Sequence, residues 1–308
     1  MKMVLRIFLI GFIGAFVSVF PQTLAQESKQ TAQFRVSVEM VSLSVTVFDK
    51  KQRLVTDLEQ ENFAIYEDGV AQQIRVFSKE DLPLRMVILL DTSSSMRSRM
   101  ELAQDAAVRF ARSLKEGDQV KVIEFNTRVL TLSDFTTDFE KVAKAIRATK
   151  AKGSTSLYEA LYIALRSLSH RREGDERQAI VVLSDGNDTR SLVTFEDVRQ
   201  LARKTDVLIY TISVRGSEND LKKQKYANAK YELERLSGET GASSFALKRI
   251  KDLSGVYERI ATELKSQYNI GYVSTNAKTD GAWRHLQIRC DREDSVVRSR
   301  IGYYASRM

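Results

Sequence analysis

The sequence predicts an α/β protein: a mostly parallel sheet with helices on both faces, flanked at both ends of the chain by β-rich segments. Three observations carry this. Residues 86–90 and 179–183 are continuous apolar runs, each stopping at an acidic, serine-rich turn, as strands buried on both faces do. Helical spacing alternates with further strand-like runs between and after them, the signature of βα units. Before residue 80 and after residue 267 the apolar residues recur instead at period two, the pattern of half-buried strands.

Taken in order, the first stretch to interpret is not part of the fold. Lys2 and Arg6 precede an apolar or small run over 7–20, followed by Pro21 and Thr23-Leu24-Ala25. A basic start, a short apolar stretch and small residues near its end predict a signal peptide over 1–25, cleaved after Ala25. Fourteen residues are too few for a spanning helix, which needs roughly 20. The expectation is an exported protein, periplasmic or secreted, with no membrane span once the signal is removed.

The N-terminal β segment is expected over 34–80. Val36, Val38 and Met40, then Leu43, Val45 and Val47, alternate with a slip of phase at Val41-Ser42 that suggests a bulge. Glu67-Asp68-Gly69 is a turn signal, so the runs 63–66 and 73–77 are expected to form a hairpin. From Pro83 the pattern changes. Strands are expected at 86–90, 120–125, 129–132, 179–183 and 207–214, with helices at 100–114, 138–148, 157–169, 195–204, 226–239 and 250–266. The end of the chain returns to strands at 268–273, 283–290 and 296–304, with turns at Asp280-Gly281 and over 291–294. The economical architecture is an α/β domain over 84–266, inserted into or flanked by a β-sandwich-like domain. The segments 34–80 and 267–305 together would build that sandwich.

Composition removes several function classes. The chain has 308 residues, 43% hydrophobic and 29% charged, with a single Cys, which excludes a disulfide framework and any CxxC metal site. The formal charge of +8, or +6 after signal cleavage, is spread in short clusters without interleaved stacking aromatics, so no nucleic-acid partner is expected. There are two His, His170 and His285, and no HExxH, GxSxG or GxxxxGK[ST] motif. Cys290, in an alternating run, reads as a buried or half-buried free thiol. Trp283, Tyr303 and Tyr304 read as sandwich core or edge.

Three loops hold the residues with chemistry. Asp91-Thr92-Ser93-Ser94-Ser95 follows the first buried strand, Gly153-Ser154-Thr155-Ser156 precedes a helix, and Ser184-Asp185-Gly186-Asn187-Asp188 follows the second buried strand. In an open parallel sheet, ligands collect beyond the carboxyl ends of the strands at the topological switch point. Carboxylates and hydroxyls with no Cys or His form an all-oxygen set, suited to Mg2+ or Mn2+ rather than zinc or copper. Two carboxylates balance a divalent ion, and neutral hydroxyls leave it Lewis acidity for an outside carboxylate. Each segment alone has a plainer explanation: a helix cap for Asp91-Thr92-Ser93, an N-cap loop for Gly153-Ser154-Thr155-Ser156, a turn for Asp185-Gly186. Asp188 reads as a turn residue; Ser94 and Ser156 are adjacent hydroxyls.

At these residues the chain resembles von Willebrand factor type A domains. Asp91-x-Ser93-x-Ser95, Thr155 and Asp185-Gly186 match their metal-ion-dependent adhesion site in order. The resemblance covers about 84–266. With the signal, the front β segment and Gly302-Tyr303-Tyr304, the whole chain is similar to the exported bacterial "VWFA-related Acidobacterial domain" family. It implies a Rossmann-like fold, the ligand set Asp91, Ser93, Ser95, Thr155 and Asp185, and binding of a partner protein through a carboxylate. Two other readings stand beside it: a structural scaffold with a vestigial site, and a Mg2+-dependent phosphoryl-transfer enzyme. Against the enzyme, Asp91-Thr92-Ser93 lacks the second Asp typical of such sites.

Overall fold

The computed structural model describes residues 40–169, 176–184, 188–214 and 220–307. The expected signal peptide and residues 34–39 of the front segment lie outside them.

A six-stranded sheet forms the α/β part. Its strands are β5 (Leu84–Asp91), β6 (Gln119–Phe125), β7 (Val129–Thr136), β8 (Arg177–Ser184), β9 (Leu208–Val214) and β10 (Ser244–Leu247), numbered after four strands described below. The spatial order is β10-β9-β8-β5-β6-β7. All neighbours are parallel except β6 and β7, which pair antiparallel across the short Asn126-Thr127-Arg128 turn. Every residue of β8 and β9 is buried, as a strand covered on both faces requires. Helices α1 (Met100–Arg112), α2 (Phe139–Arg147) and α6 (Leu253–Lys265) cover one face. Helices α3 (Leu157–Ser169), α4 (Phe195–Ala202) and α5 (Asp220–Thr240) cover the other. Alternate residues of β5 serve the two cores: Met86, Ile88 and Leu90 one, Val87 and Leu89 the other. This is the Rossmann-like α/β arrangement that the alternation of runs predicts.

Two four-stranded sheets make up the remainder. Strand β1 (Met40–Phe48) lies between β13 (Val296–Arg298) and β11 (Tyr268–Val273), and β11 also pairs with β4 (Ile74–Ser78). In the second sheet β12 (Trp283–Cys290) lies between β14 (Gly302–Tyr304) and β2 (Phe63–Glu67), which continues into β3 (Val70–Gln72). Val41, Leu43, Val45, Tyr268 and Ile270 of one sheet share a core with Phe63, Ile65 and Leu286 of the other. At its centre the buried Glu67 carboxylate accepts hydrogen bonds from Tyr272 Oη (2.7 Å), Ser274 Oγ (2.7 Å) and Tyr303 Oη (2.9 Å).

Several local expectations are corrected. The run 63–66 does not pair with 73–77. Asp68 and Gly69, at φ 47° and 83°, form a tight two-residue turn that pairs β2 with β3. The chain then crosses at Gln73, and β4 joins the opposite sheet beside β11. Val41 stays in phase with Leu43, Val45 and Val47 along an unbroken strand, while Met40 is half exposed, so no bulge separates them. The run 296–304 divides into β13 and β14, in different sheets. Strand β10 had no counterpart in the sequence reading.

The two parts meet at the amino ends of the parallel strands. Arg177, at the start of β8, donates to the Leu264 carbonyl of α6 and to Asn269 Oδ1 of β11 (3.0 Å). Arg300 pairs with Asp206, and the Arg203 guanidinium lies 4.9 Å from the Trp283 ring centre. A cleft of about 650 Å³ opens here, bordered by Ser44, Val76, Arg177, Asp206 and Arg300. It is at the opposite end of the strands from Asp91.

Candidate metal site

Strands β5 and β8 are central neighbours whose following connections leave in opposite directions, to β6 on one side and to β9 on the other. Their carboxyl ends therefore frame the crevice where an open α/β sheet receives a ligand. Asp91 closes β5 and Ser184 closes β8. Both are fully buried. A buried carboxylate is costly unless donors surround it. Asp91 Oδ1 accepts from the Ser93 amide at 2.9 Å, and Oδ2 from the Ser184 hydroxyl at 2.7 Å.

The loop after Asp91 turns back on itself because its second amide, that of Ser93, bonds the strand's terminal side chain. That fold brings Ser93 Oγ and Ser95 Oγ within 2.9 Å of each other. Ser93 is buried and Ser95 exposed, so the pair spans from the interior to the surface. The Gly153 loop docks alongside: Ser94 N donates to the Gly153 carbonyl (3.0 Å), and Lys152 N to the Thr92 carbonyl (2.7 Å). Gly153 sits at φ 73°, where a Cβ would fall 2.2 Å from Thr127 Oγ1. Only glycine lets the loop pass so close, and it leaves Thr127 Oγ1 free to accept from Ser154 N at 3.0 Å.

Thr155, 5% exposed, is fixed by its main chain. Its carbonyl accepts from the amides of Thr189 and Arg190, and its own amide donates to Thr189 Oγ1 at 3.1 Å. Asp188 holds the last loop closed, accepting from the Tyr158 amide and from Ser191, which is the turn role its sequence suggests. In the first turn of α3, the Tyr158 hydroxyl donates to Glu232; burial first and this carboxylate second push the phenol above its ordinary range. The Ser156 hydroxyl, fully buried, has no hydrogen-bond partner among the described residues.

Of the residues singled out in the sequence, Asp91, Ser93 and Ser95 are thus brought together, and the Thr155 loop is bonded to theirs. Asp185, with Gly186 and Asn187, lies outside the described residues. Among those described, no three His, Cys, Asp or Glu side chains cluster as metal ligands, and the donors at Asp91 are largely hydroxyls. An all-oxygen set of one buried carboxylate and paired hydroxyls, beside an orphaned serine, has the chemistry a hard divalent ion needs. Sequence reasoning missed Asn126 and Thr127, and it named Ser184 in the third loop without giving it a role. Asn126 Nδ2 donates to Thr92 Oγ1 (2.9 Å), and its carbonyl accepts from Ser156 N (2.9 Å). The signal was present: each is a polar residue at or just beyond the end of a buried strand.

Comparison with known proteins agrees with the α/β fold. Residues 86–187 match the family model of the von Willebrand factor type A domain. An uncharacterized Synechocystis protein, sll0103, is 31% identical over 124 residues, 38% of this chain and 29% of that protein. Human von Willebrand factor A domain-containing protein 3B is 31% identical over 132 residues, 41% of this chain and 10% of that protein. The chain thus spans less than a third of the length of these two relatives. Among solved structures, proximal thread matrix protein 1 of the mussel byssus, with a zinc-occupied MIDAS motif, superposes with a TM-score of 0.50 at 18% identity. The match covers 63% of this chain and 48% of that one. Residues 86–187 therefore resemble a von Willebrand factor type A domain.

Proposed function

We propose that the protein is an exported, metal-dependent binding module that grips an acidic residue of a partner protein. In this reading it is no enzyme, it acts in the periplasm or outside the cell, and it is one of the exported bacterial VWFA-related proteins. Residues 84–266 would be the binding domain, and 34–80 with 267–305 its sandwich mount. The observation that carries the reading is the pairing of Ser93 and Ser95 hydroxyls directly beyond an anchored, buried Asp91.

The proposed ligands are Asp91, Ser93, Ser95, Thr155 and Asp185, and the proposed ion is Mg2+ or Mn2+. When bound, the ion supplies a Lewis-acidic position for a carboxylate oxygen. The protein's part is preorganisation. Ser184 and the Ser93 amide hold Asp91 in place, Gly153 allows the second loop to close on the first, and Thr189 and Arg190 set the height of Thr155. Neutral hydroxyls among the ligands donate weakly and leave the ion Lewis acidity for the partner.

Calorimetric titration of Mg2+, Mn2+ and Zn2+ into the wild type, Asp91→Ala and Asp185→Ala tests the reading. Binding heat is expected in the wild type and its loss in both variants, with cooperative unfolding retained. Equal affinity in all three proteins would refute the site. Binding heat with Zn2+ but none with Mg2+ or Mn2+ would refute the proposed ion.

A further inference from the structure

Four loops close around the Asp91 crevice: 91–99, 126–128, 150–156 and 188–193. They are bonded to one another. Ser94 and Lys152 join the first to the third, Asn126 and Thr127 join the second to the first and third, and Thr189 and Arg190 join the fourth to the third. Their charges are lopsided. They carry Arg97, Arg99, Arg128, Lys150, Lys152 and Arg190, against Asp91 and Asp188 among the described residues. Arg97, Arg128, Lys150, Lys152 and Arg190 are exposed, and none makes an ion pair among the described residues. Some basic residues elsewhere are neutralised by acids: Arg112 pairs with Glu140, and Arg199 and Arg203 with Glu239. On the same rim Leu192 is 94% exposed. Its neighbour Ser191 accepts from the Glu159 amide, which pins that position to the first turn of α3.

From this rim we infer that the partner offers more than one carboxylate: an acidic protein segment in which several Asp or Glu side chains surround an apolar one. The inference rests on the metal reading above and extends it to the partner's chemistry. One carboxylate goes to the ion, the neighbouring ones meet the unpaired cations, and the apolar side chain covers Leu192. Unpaired like charges around a crevice attract the opposite charge and raise the association rate, an effect that salt removes.

Fluorescence anisotropy with the full chain in Mg2+ tests this with two labelled peptides: one with a Leu among Glu and Asp, the other with the same Leu, a single Asp and otherwise Ser. The acidic peptide is expected to bind about tenfold tighter at low salt, with the gap closing as NaCl is raised. The triple variant Arg97→Glu, Arg128→Glu, Lys150→Glu should lose the gap while keeping the calorimetric Mg2+ heat. The milder triple alanine variant should narrow it. Leu192→Ser should weaken both peptides severalfold without altering the salt dependence. Equal affinity of the two peptides, a gap indifferent to the variants, or tighter binding of heparin or duplex DNA than of the acidic peptide would overturn the inference. Absence of Mg2+ heat in the wild type would instead overturn the metal reading on which it rests.

Discussion

Ser184→Ala separates the metal site from the stability of the sheet. The hydroxyl donates to Asp91 Oδ2 at 2.7 Å, and both residues are fully buried. Alanine fits the same space, so the cavity left is negligible and the lost interaction is the hydrogen bond to a carboxylate. Bonds of that kind contribute about 1.5–3 kcal/mol, and unfolding free energy in metal-free buffer should fall by that amount. Asp91 would also lose the contact that fixes its orientation. Removing a group that orients a ligand typically weakens metal affinity by about 10–100-fold. At a metal concentration about 100 times the wild-type dissociation constant, the wild type gains about 2.7 kcal/mol. At the same concentration the variant, with affinity 10–100-fold weaker, gains only about 0.4–1.4 kcal/mol by the same relation. Urea unfolding with and without Mg2+, paired with calorimetry, measures both quantities. If the variant loses stability but binds Mg2+ as tightly as the wild type, Asp91 does not help hold the ion.

Three other outcomes follow from the structure. Glu67→Ala removes the acceptor of three hydroxyls inside the sandwich and should cost about 3–5 kcal/mol in denaturant unfolding, with Glu67→Gln milder; a loss below about 1 kcal/mol would refute the hub. Burial raises the carboxyl pKa of Glu263 above 4.5, with the Ser243 hydroxyl and Arg298 opposing, so the folded state binds its proton more tightly than the unfolded chain. That contribution is full below the unfolded value and is lost as pH rises through the folded one. The stability of wild type minus Glu263→Gln should therefore decline as pH rises above the ordinary glutamate value of 4.5, and a flat difference would refute it. Deleting 267–308 removes β11 from between β1 and β4, and β12 from beside β2, so hydrogen-exchange protection over 40–78 should collapse; unchanged protection would mean that the front strands hold together alone.

The α/β centre was legible because its signals are local. Strands covered on both faces must be apolar throughout, and 86–90 and 179–183 can be little else. The sandwich was legible in composition but not in pairing. Val70-Ala71-Gln72 has two exposed residues and a buried Gln, so nothing apolar marked it as the partner of β2, while the more apolar 74–78 was taken by β11 from the far end of the chain. Strand β10 is four residues long, and its pairing with β9 is decided by the sheet it joins. Asp91, Ser93 and Ser95 could be marked because their spacing is a motif. The Ser184 hydroxyl could not be assigned to Asp91, since 93 residues separate them and only the parallel pairing of β5 with β8 makes them meet.

The buried polar groups at the two ends of the sheet differ in what they bond, and the difference argues for where function lies. At the amino end they cross between distant parts of the fold. Arg177 reaches α6 and β11, Gln178 donates to the Leu168 carbonyl, and Gln267 donates to Thr46. Each such bond joins elements that would otherwise part, so stability alone accounts for it. At the carboxyl end Asp91, Thr92, Ser93, Asn126, Thr155, Ser156 and Ser184 are buried, and the bonds described run among the loops around a single crevice. Apolar loop ends would close that crevice at lower cost, since every buried polar group must recover its lost hydration. A carboxylate, a row of hydroxyls and a Ser156 oxygen without a partner among the described residues are an expensive way to finish a sheet and a suitable way to receive a cation. The unpaired cations outside that crevice extend the same logic: charge left uncompensated in the free protein is charge available to a partner.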